Sequence, residues 1–386
     1  MSAPHGVLFL THVGDPGGAE FKMLDLCRSV ADDAEILLFQ HGSLESILTR
    51  RSLRYSVCPL PRAAREMRRE GGLMSLFRAI PGVLTVIGSL ARKARGFRIV
   101  VCVSQKSFVL AALAKCLMRR PIVWFMNDIV SREHFSAISI RCITFLSRYL
   151  ADYVVLNSEA SRAAWLRAGG RARRVSVIYP VMMEDEVAAE SDNPDRLGFY
   201  QRMYRNTGRP LIGMFGRISR WKGQDVFMRA IALLPQVDAV IAGAAHFGEQ
   251  QVERNLRSLA RELGIEERLH FAGHVNDPLQ LMRCCDVVAH CSTAPEPFGQ
   301  VILQAMLVGT PVVASDAGGA REIVIQDETG QLTPMNDPRA LAEAIQRYLD
   351  NPYWSRCVAA KARHRAKKSF SAAGMAERFT AILGTL

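Results

Sequence analysis

No apolar run in the 386 residues reaches the roughly 20 positions that a helix needs to span a bilayer. The first residues, Met1 to Gly6, lead straight into an apolar strand without a basic stretch, so no signal peptide is expected. Nine cysteines are scattered and only Cys284 and Cys285 are close. With no Cys-x-x-Cys, neither a zinc ribbon nor a disulfide framework is expected, and a reducing cytoplasm fits. Asp-x-Asp is absent, and so is Gly-x-Gly-x-x-Gly. Internal repeats of solenoid length and low-complexity tracts are also missing.

What is present is ordinary globular material, 49% hydrophobic, over a length that predicts two domains. The net charge of +12 is unevenly placed. Residues 1–180 carry 26 Lys+Arg against 13 Asp+Glu, and the remainder carries 23 against 24. Such a field in the first half attracts anions: phospholipid surfaces, lipid diphosphates or nucleic acid. Nucleic acid fits least, because no recognised module is present and the arginines are mixed with Leu and Val instead of exposed aromatics.

Short apolar runs alternate with helical stretches. Strands are expected at Val7–Thr11, Glu35–Phe39, Arg98–Ser104, Pro121–Met126, Asp152–Asn157 and Arg174–Tyr179, with helices at Ser107–Met118 and Phe135–Leu150. This order predicts a parallel sheet with helices on both faces and ligands at the strands' carboxyl ends. Residues 62–98 stand apart. Arg62, Arg65, Arg68, Arg69, Arg78, Arg92, Lys93, Arg95 and Arg98 face only Glu66 and Glu70, with Leu, Ile and Val interleaved. Gly71-Gly72 and Pro81-Gly82 are expected to break the helical pattern. The segment suits an anionic membrane surface; the alternative is that Val83–Lys93 is a core helix under the sheet. Residues 184–208 lack apolar rhythm and read as a connection, their Glu184-Asp185-Glu186 run as solvated.

A second series follows: strands at Pro210–Phe215, Asp238–Gly243, Leu269–Gly273, Cys284–Ala289 and Pro311–Ser315, and helices at Gln224–Leu234, Pro338–Leu349 and Tyr353–Leu383. Three loops carry chemistry. After the first strand, Gly14, Gly17 and Gly18 precede a helix, which lets backbone approach a phosphate or sugar. The second strand ends in Gln40-His41, where a dinucleotide fold would place an acid, which argues against a dehydrogenase. After Phe215 come Gly216, Arg217, Lys222 and Gly223, a guanidinium fork and a point charge able to neutralise phosphates. Glu296 lies just outside a helix N-terminus, where backbone N–H groups favour an anion. Gln304, eight residues on, is expected on the same side. His270 and His274 lack a partner spacing for metal.

Gly216-Arg217, Lys222-Gly223 and Glu296-Pro297-Phe298-Gly299 resemble the nucleotide-sugar site of the retaining glycosyltransferases of family 4, as does Gly17-Gly18-Ala19-Glu20. The family's second acid is replaced by Gln304, and Asn127 stands where many members have a histidine. The resemblance implies the α/β GT-B fold: two Rossmann-like, doubly wound parallel-sheet domains facing a central cleft. Residues 1–183 would bind acceptor, 184–208 would link, 209–365 would bind the nucleotide sugar, and the helix at 366–386 would cross back to the first domain. The implied reaction moves a sugar from a UDP- or GDP-sugar to a glycan hydroxyl, with retention and with neither metal nor cofactor. Arg217 and Lys222 would stabilise the leaving diphosphate and Glu296 would fix the sugar hydroxyls. Donor contacts would come from Gly17, Gly18, Gly216, Gly273, His274, Val275, Phe298, Gly299, Gln300, Val301 and Gln304, the last holding ribose. Glu20 and Asn127 would position acceptor or sugar. The basic first half suits a lipid-linked saccharide at the inner face of the cell membrane. A nucleotide-sugar-binding partner without turnover is the alternative.

Overall fold

The structure is a computed structural model. It describes residues 6–14, 17–30, 33–61, 73–132, 135–182, 207–245 and 248–386, with positions 198, 200, 201, 203 and 204. Outside it lie Arg62, Arg65, Arg68, Arg69, Glu66, Glu70, Gly71-Gly72, the Glu184-Asp185-Glu186 run and most of the expected linker. The same holds for the side chains of 73–80. The chain forms two compact units, one of residues up to Tyr179 together with Ala373–Leu386, the other Pro180–Ala372.

In the first unit the chain runs β1 (Val7–Thr11), α1 (Gly18–Ser29), β2 (Ala34–Leu38), α2 (Leu44–Arg50), β3 (Tyr55–Val57), α3 (Leu73–Ala94) and β4 (Ile99–Cys102). It continues through α4 (Gln105–Met118), β5 (Ile122–Met126), α5 (Ala137–Leu150), β6 (Tyr153–Leu156), α6 (Glu159–Arg167) and β7 (Val175–Val177). The sheet is parallel in the order β3-β2-β1-β4-β5-β6-β7. Reversal at β1/β4 opens a crevice at the carboxyl ends, the usual ligand position of such sheets. Alternation along a strand explains the two layers. Leu8, Leu10, Trp124 and Met126 pack into one core with Val86, Leu90, Phe108 and Ile143. Phe9 and Phe125 point the other way, onto Phe379, at ring distances of 5.9 and 5.7 Å. Three helices start at Ser-x-x-Ser: Ser104, Ser136 and Ser158 each accept from the amide three residues on, at 3.3, 3.2 and 3.0 Å.

The second unit holds β8 (Leu211–Phe215), α7 (Gln224–Ala232), β9 (Asp238–Ala242), α8 (Gln250–Glu262), β10 (Leu269–Gly273), α9 (Pro278–Cys284) and β11 (Val287–His290). Then come α10 (Gln300–Val308), β12 (Val312–Ser315), α11 (Ala320–Ile323), β13 (Gln331–Thr333), α12 (Pro338–Asp350) and α13 (Pro352–Ser369). Its parallel sheet is ordered β10-β9-β8-β11-β12-β13, reversing at β8/β11. A final helix, α14 (Ala372–Gly384), carries Phe379 into the first unit's core.

Three local expectations fail. Helix α3 runs through Pro81-Gly82 without a break. The bond that Pro81 cannot donate is outweighed by burial of Val86, Ile87, Leu90, Ala91 and Ala94, and Thr85 Oγ1 donates to Pro81 O at 3.0 Å. The second half of the basic segment is thus a core helix on its inner face, while Leu84, Thr85 and Arg92 remain exposed. Cys284 closes α9, which starts at Pro278 in the first-turn position proline favours, so the strand begins only at Val287. The long C-terminal helix is two helices, because Phe370 turns in to meet Phe298 edge-on at 5.5 Å.

Candidate active site

The loops after β8, β9 and β10 lie side by side at the carboxyl edge of the second unit's sheet. Gly216, Gly243 and Gly273 end the adjacent strands β8, β9 and β10. Gly216 N donates to Ala242 O at 2.9 Å and Gly243 N to Gly273 O at 2.7 Å. A side chain at Gly243 would meet Gly216 O at 2.0 Å, so this edge is bare backbone. Beyond Gly273, exposed His274 and half-buried Val275 border a hollow of about 370 Å³ with Tyr200, Met203 and Tyr204.

The loop from Arg217 to Gly223 folds onto the end of β11. Gln224 Nε2 donates to Arg217 O at 3.0 Å, and Thr293 N donates to Trp221 O at 2.8 Å. Gly223 takes φ +74°, and a Cβ there would lie 2.0 Å from Cys291 O. This seating places the Lys222 ammonium 4.5 Å from the Trp221 ring centroid and in a salt bridge with Glu296 Oε1. The segment carrying Glu296 is held from the other side. Gly319 N donates to Glu296 O at 3.0 Å, and Gly318 passes so close that a Cβ would be 2.3 Å from that oxygen.

Glu296 is 7% exposed. Its Oε1 also accepts from Ser292 Oγ at 2.5 Å and lies 3.1 Å from His290 Nε2. Burial pushes its carboxyl up, but the Lys222 ammonium and the His290 ring outweigh that and hold it well below the usual carboxylate range. Glu296 is therefore an ionised carboxylate at the mouth of α10, whose first turn presents the amides after Gly299. His290 and Ser292 were missed by sequence reasoning. The available signal was their spacing of two at a strand's carboxyl end, which puts both side chains on one side.

Glu296 precedes α10 by a turn containing Pro297 and Gly299 (φ +110°), so of the eight residues from Glu296 to Gln304 only the step from Gln300 to Gln304 is helical, one turn of α10. Gln300 and Gln304 share a half-exposed face. Val301 is half-buried and Phe298 is buried.

Gly17, Gly18, Glu20 and Asn127 belong to the first unit. Glu20 is buried and caps its own helix: Oε2 accepts from Gly17 N at 3.0 Å and Oε1 from Thr11 Oγ1 at 2.9 Å. Burial raises its carboxyl pKa, partly opposed by those bonds, and Asp128 adds to the rise. Asn127 Nδ2 donates to Val103 O at 2.9 Å, and Asn157 Nδ2 donates to Asn127 O at 3.0 Å, tying three strand ends together. His12, on the neighbouring loop, is brought down to about 4 by burial and by Lys106. Among the described residues no group of three or more His, Cys, Asp or Glu is placed to hold a metal ion.

Residues 201–369 match the family model for glycosyl transferases group 1. The crystal structure of Anabaena HepE in complex with UDP-glucose superposes with a TM-score of 0.89 at 33% identity, covering 99% of this chain and 100% of that one. The chain belongs to the group 1 glycosyltransferase family. Its fold is GT-B, with two Rossmann-like parallel-sheet domains. Among curated relatives, the lipopolysaccharide core biosynthesis mannosyltransferase LpcC of Rhizobium leguminosarum bv. viciae is 37% identical over 150 residues, 38% of this chain and 42% of that protein. The D-inositol 3-phosphate glycosyltransferase of Mycolicibacterium gilvum is 39% identical over 199 residues, 50% and 44% respectively. The match thus spans less than half the length of these curated relatives.

Proposed function

We propose that the chain transfers a sugar from a UDP- or GDP-sugar, with retention at the anomeric carbon, to a hydroxyl of a glycan or lipid-linked saccharide acceptor. The setting is bacterial surface polysaccharide or glycoconjugate assembly at the cytoplasmic face of the membrane. The observation that carries the reading is the Lys222–Glu296 contact beside the α10 N-terminus. As the bond from the anomeric carbon to the phosphate oxygen breaks, its electron pair goes to the diphosphate, and Lys222 and Arg217 neutralise that growing charge. The acceptor oxygen bonds to the carbon, and its proton passes to the departing phosphate oxygen on the same face, so no protein carboxylate acts as base. Three contacts converge on Glu296 Oε1, which supports Oε2 as the oxygen that meets the sugar hydroxyls. The donor lies on the second unit, with Gln304 at the ribose, and the acceptor on the first. The HepE complexes with UDP, with UDP and glucose and with UDP-glucose support a nucleotide-sugar co-substrate. The basic first half supports peripheral contact with an anionic membrane.

Binding of a nucleotide sugar without turnover is a second reading, favoured by the uncharged Gln304 and Asn127. A panel of nucleotide sugars screened for thermal stabilisation, followed by calorimetry and a nucleotide-release assay, tests both. Stabilisation with release that Lys222→Ala abolishes is expected. Binding without release transfers the case to the second reading, and no stabilisation by any nucleotide sugar sinks both.

A further inference from the structure

Helices α3, α4 and α5 lie side by side over the first sheet, and their outer faces are unusually apolar for a solvated surface. They carry six of the twelve large hydrophobic side chains exposed among the described residues. On α5, Ile138, Phe145 and Tyr149 are 80, 60 and 61% exposed, and exposed Cys142 completes a single stripe down the helix. Leu113 and Leu117 stand one turn apart on α4, and Leu84 on α3. The inner faces are already satisfied by Val86, Leu90, Phe108, Ala111 and Ile143 in the core. The stripe is therefore not core material that failed to pack.

The charge around it is predominantly of one sign. Residues 71–151 contain 12 Lys+Arg and only two acids, Asp128 and Glu133. Arg92, Lys106, Arg119, Arg141 and Arg148 are exposed, and the Arg148 guanidinium lies 5.5 Å from the Tyr149 ring centroid. We propose that this three-helix face docks in the plane of a bilayer surface bearing anionic lipids. Ile138, Phe145, Tyr149, Leu113 and Leu117 enter the headgroup boundary, and the flanking guanidinium groups meet lipid phosphates. No described helix is long and apolar enough to cross a membrane, which agrees with in-plane contact. A second copy of the chain is a poor occupant, because a symmetric contact would set this cationic surface against itself. Nucleic acid is a poor one because aliphatic side chains would occupy the centre of the contact. The inference deepens the membrane contact proposed above, and it stands or falls apart from the transfer chemistry.

The test is co-sedimentation of the full chain with phosphatidylcholine vesicles, with and without phosphatidylglycerol, at low and high salt, without donor or acceptor. The parent is expected to partition to the anionic vesicles only, and less at high salt. Ile138→Ser, Phe145→Ser and Tyr149→Ser together should lower partitioning at least tenfold with an unchanged melting temperature. Arg141→Gln and Arg148→Gln should each lower it about fivefold, an effect that high salt removes. A Phe145→Trp reporter should shift its emission to the blue on the vesicles. Parent and triple variant partitioning alike overturns the proposal, as does a parent that binds neither vesicle. A solution dimer split by the triple variant would give the face to a second copy. Tighter binding to duplex DNA than to vesicles, lost in the same variant, would give it to nucleic acid.

Discussion

His290 Nε2 lies 3.1 Å from Glu296 Oε1, with both side chains buried at the carboxyl end of β11. The ring donates through Nε2–H, while Nδ1 finds no partner among the described residues. His290 therefore fixes where the carboxylate points. His290→Ala should lower the rate of sugar transfer roughly 10- to 100-fold through misplacement of Glu296. His290→Gln, which can still donate, should recover part of that loss. Steady-state kinetics on both variants decide it, and equal rates for parent and His290→Ala would remove the residue from the site.

The depressed pKa of Glu296 makes a pH prediction with a definite sign. Because its folded pKa lies below the unfolded value of about 4.3, its ionised form adds stability at neutral pH. That contribution is fully present above the unfolded pKa and is lost as pH falls through the folded one. Parent and Glu296→Gln should therefore differ most in melting temperature above pH ~5 and converge toward pH ~3. A difference that stays constant over that range would show the carboxylate to be ordinary.

Lys22 behaves in the opposite sense. It is buried on α1, its Nζ donating to Ile178 O at 2.8 Å and lying 5.0 Å from the Phe125 ring centroid, and burial lowers its pKa to about 7. A base whose folded pKa is depressed destabilises the fold while the unfolded chain holds the extra proton. Stability should thus rise from pH ~7 toward the unfolded pKa of ~10.4, by at most on the order of 4 kcal/mol. Lys22→Met should flatten that rise and melt higher than the parent at pH ~6, less about 1 kcal/mol for the lost hydrogen bond. Denaturant titration across the pH range checks this, and parallel profiles for the two proteins would refute it.

How far the sequence could be read follows from how local each feature is. Val7–Thr11, Ile122–Met126 and Leu211–Phe215 are buried on both faces, so their apolar runs announce them. The edge strands Tyr55–Val57 and Gln331–Thr333 are three residues long, and the former is half-buried throughout, so neither leaves such a run. The cations at 217 and 222 and the acid at 296 were legible as motifs. His290 and Ser292 left only the weak signal of their spacing, and it gained meaning when β11 brought them under the Lys222 loop. The turn at Phe370 was unreadable for a related reason, because its cause is the ring of Phe298, which is distant in sequence. Likewise nothing in the α1 sequence distinguishes Lys22 from a solvated lysine, since its partner is the carbonyl of Ile178.

Backbone strain and crowding at the site can be told apart with two glycines. Gly223 and Gly264 both hold a left-handed conformation, φ +74° and +65°. Nothing lies within 4 Å of where a Cβ at Gly264 would be, whereas at Gly223 it would meet Cys291 O at 2.0 Å. Gly264→Ala should thus cost about 1 kcal/mol, the ordinary cost of that conformation, and leave transfer unchanged. Gly223→Ala has the same strain and must also push the Lys222 loop off β11, against the Thr293–Trp221 hydrogen bond at 2.8 Å. It should cost at least about 2 kcal/mol more and lower transfer by about two orders of magnitude, because Lys222 leaves Glu296. Denaturant melts and transfer rates measured side by side on the two variants provide the comparison. If both lose the same stability and Gly223→Ala keeps its rate, the loop does not set the position of Lys222.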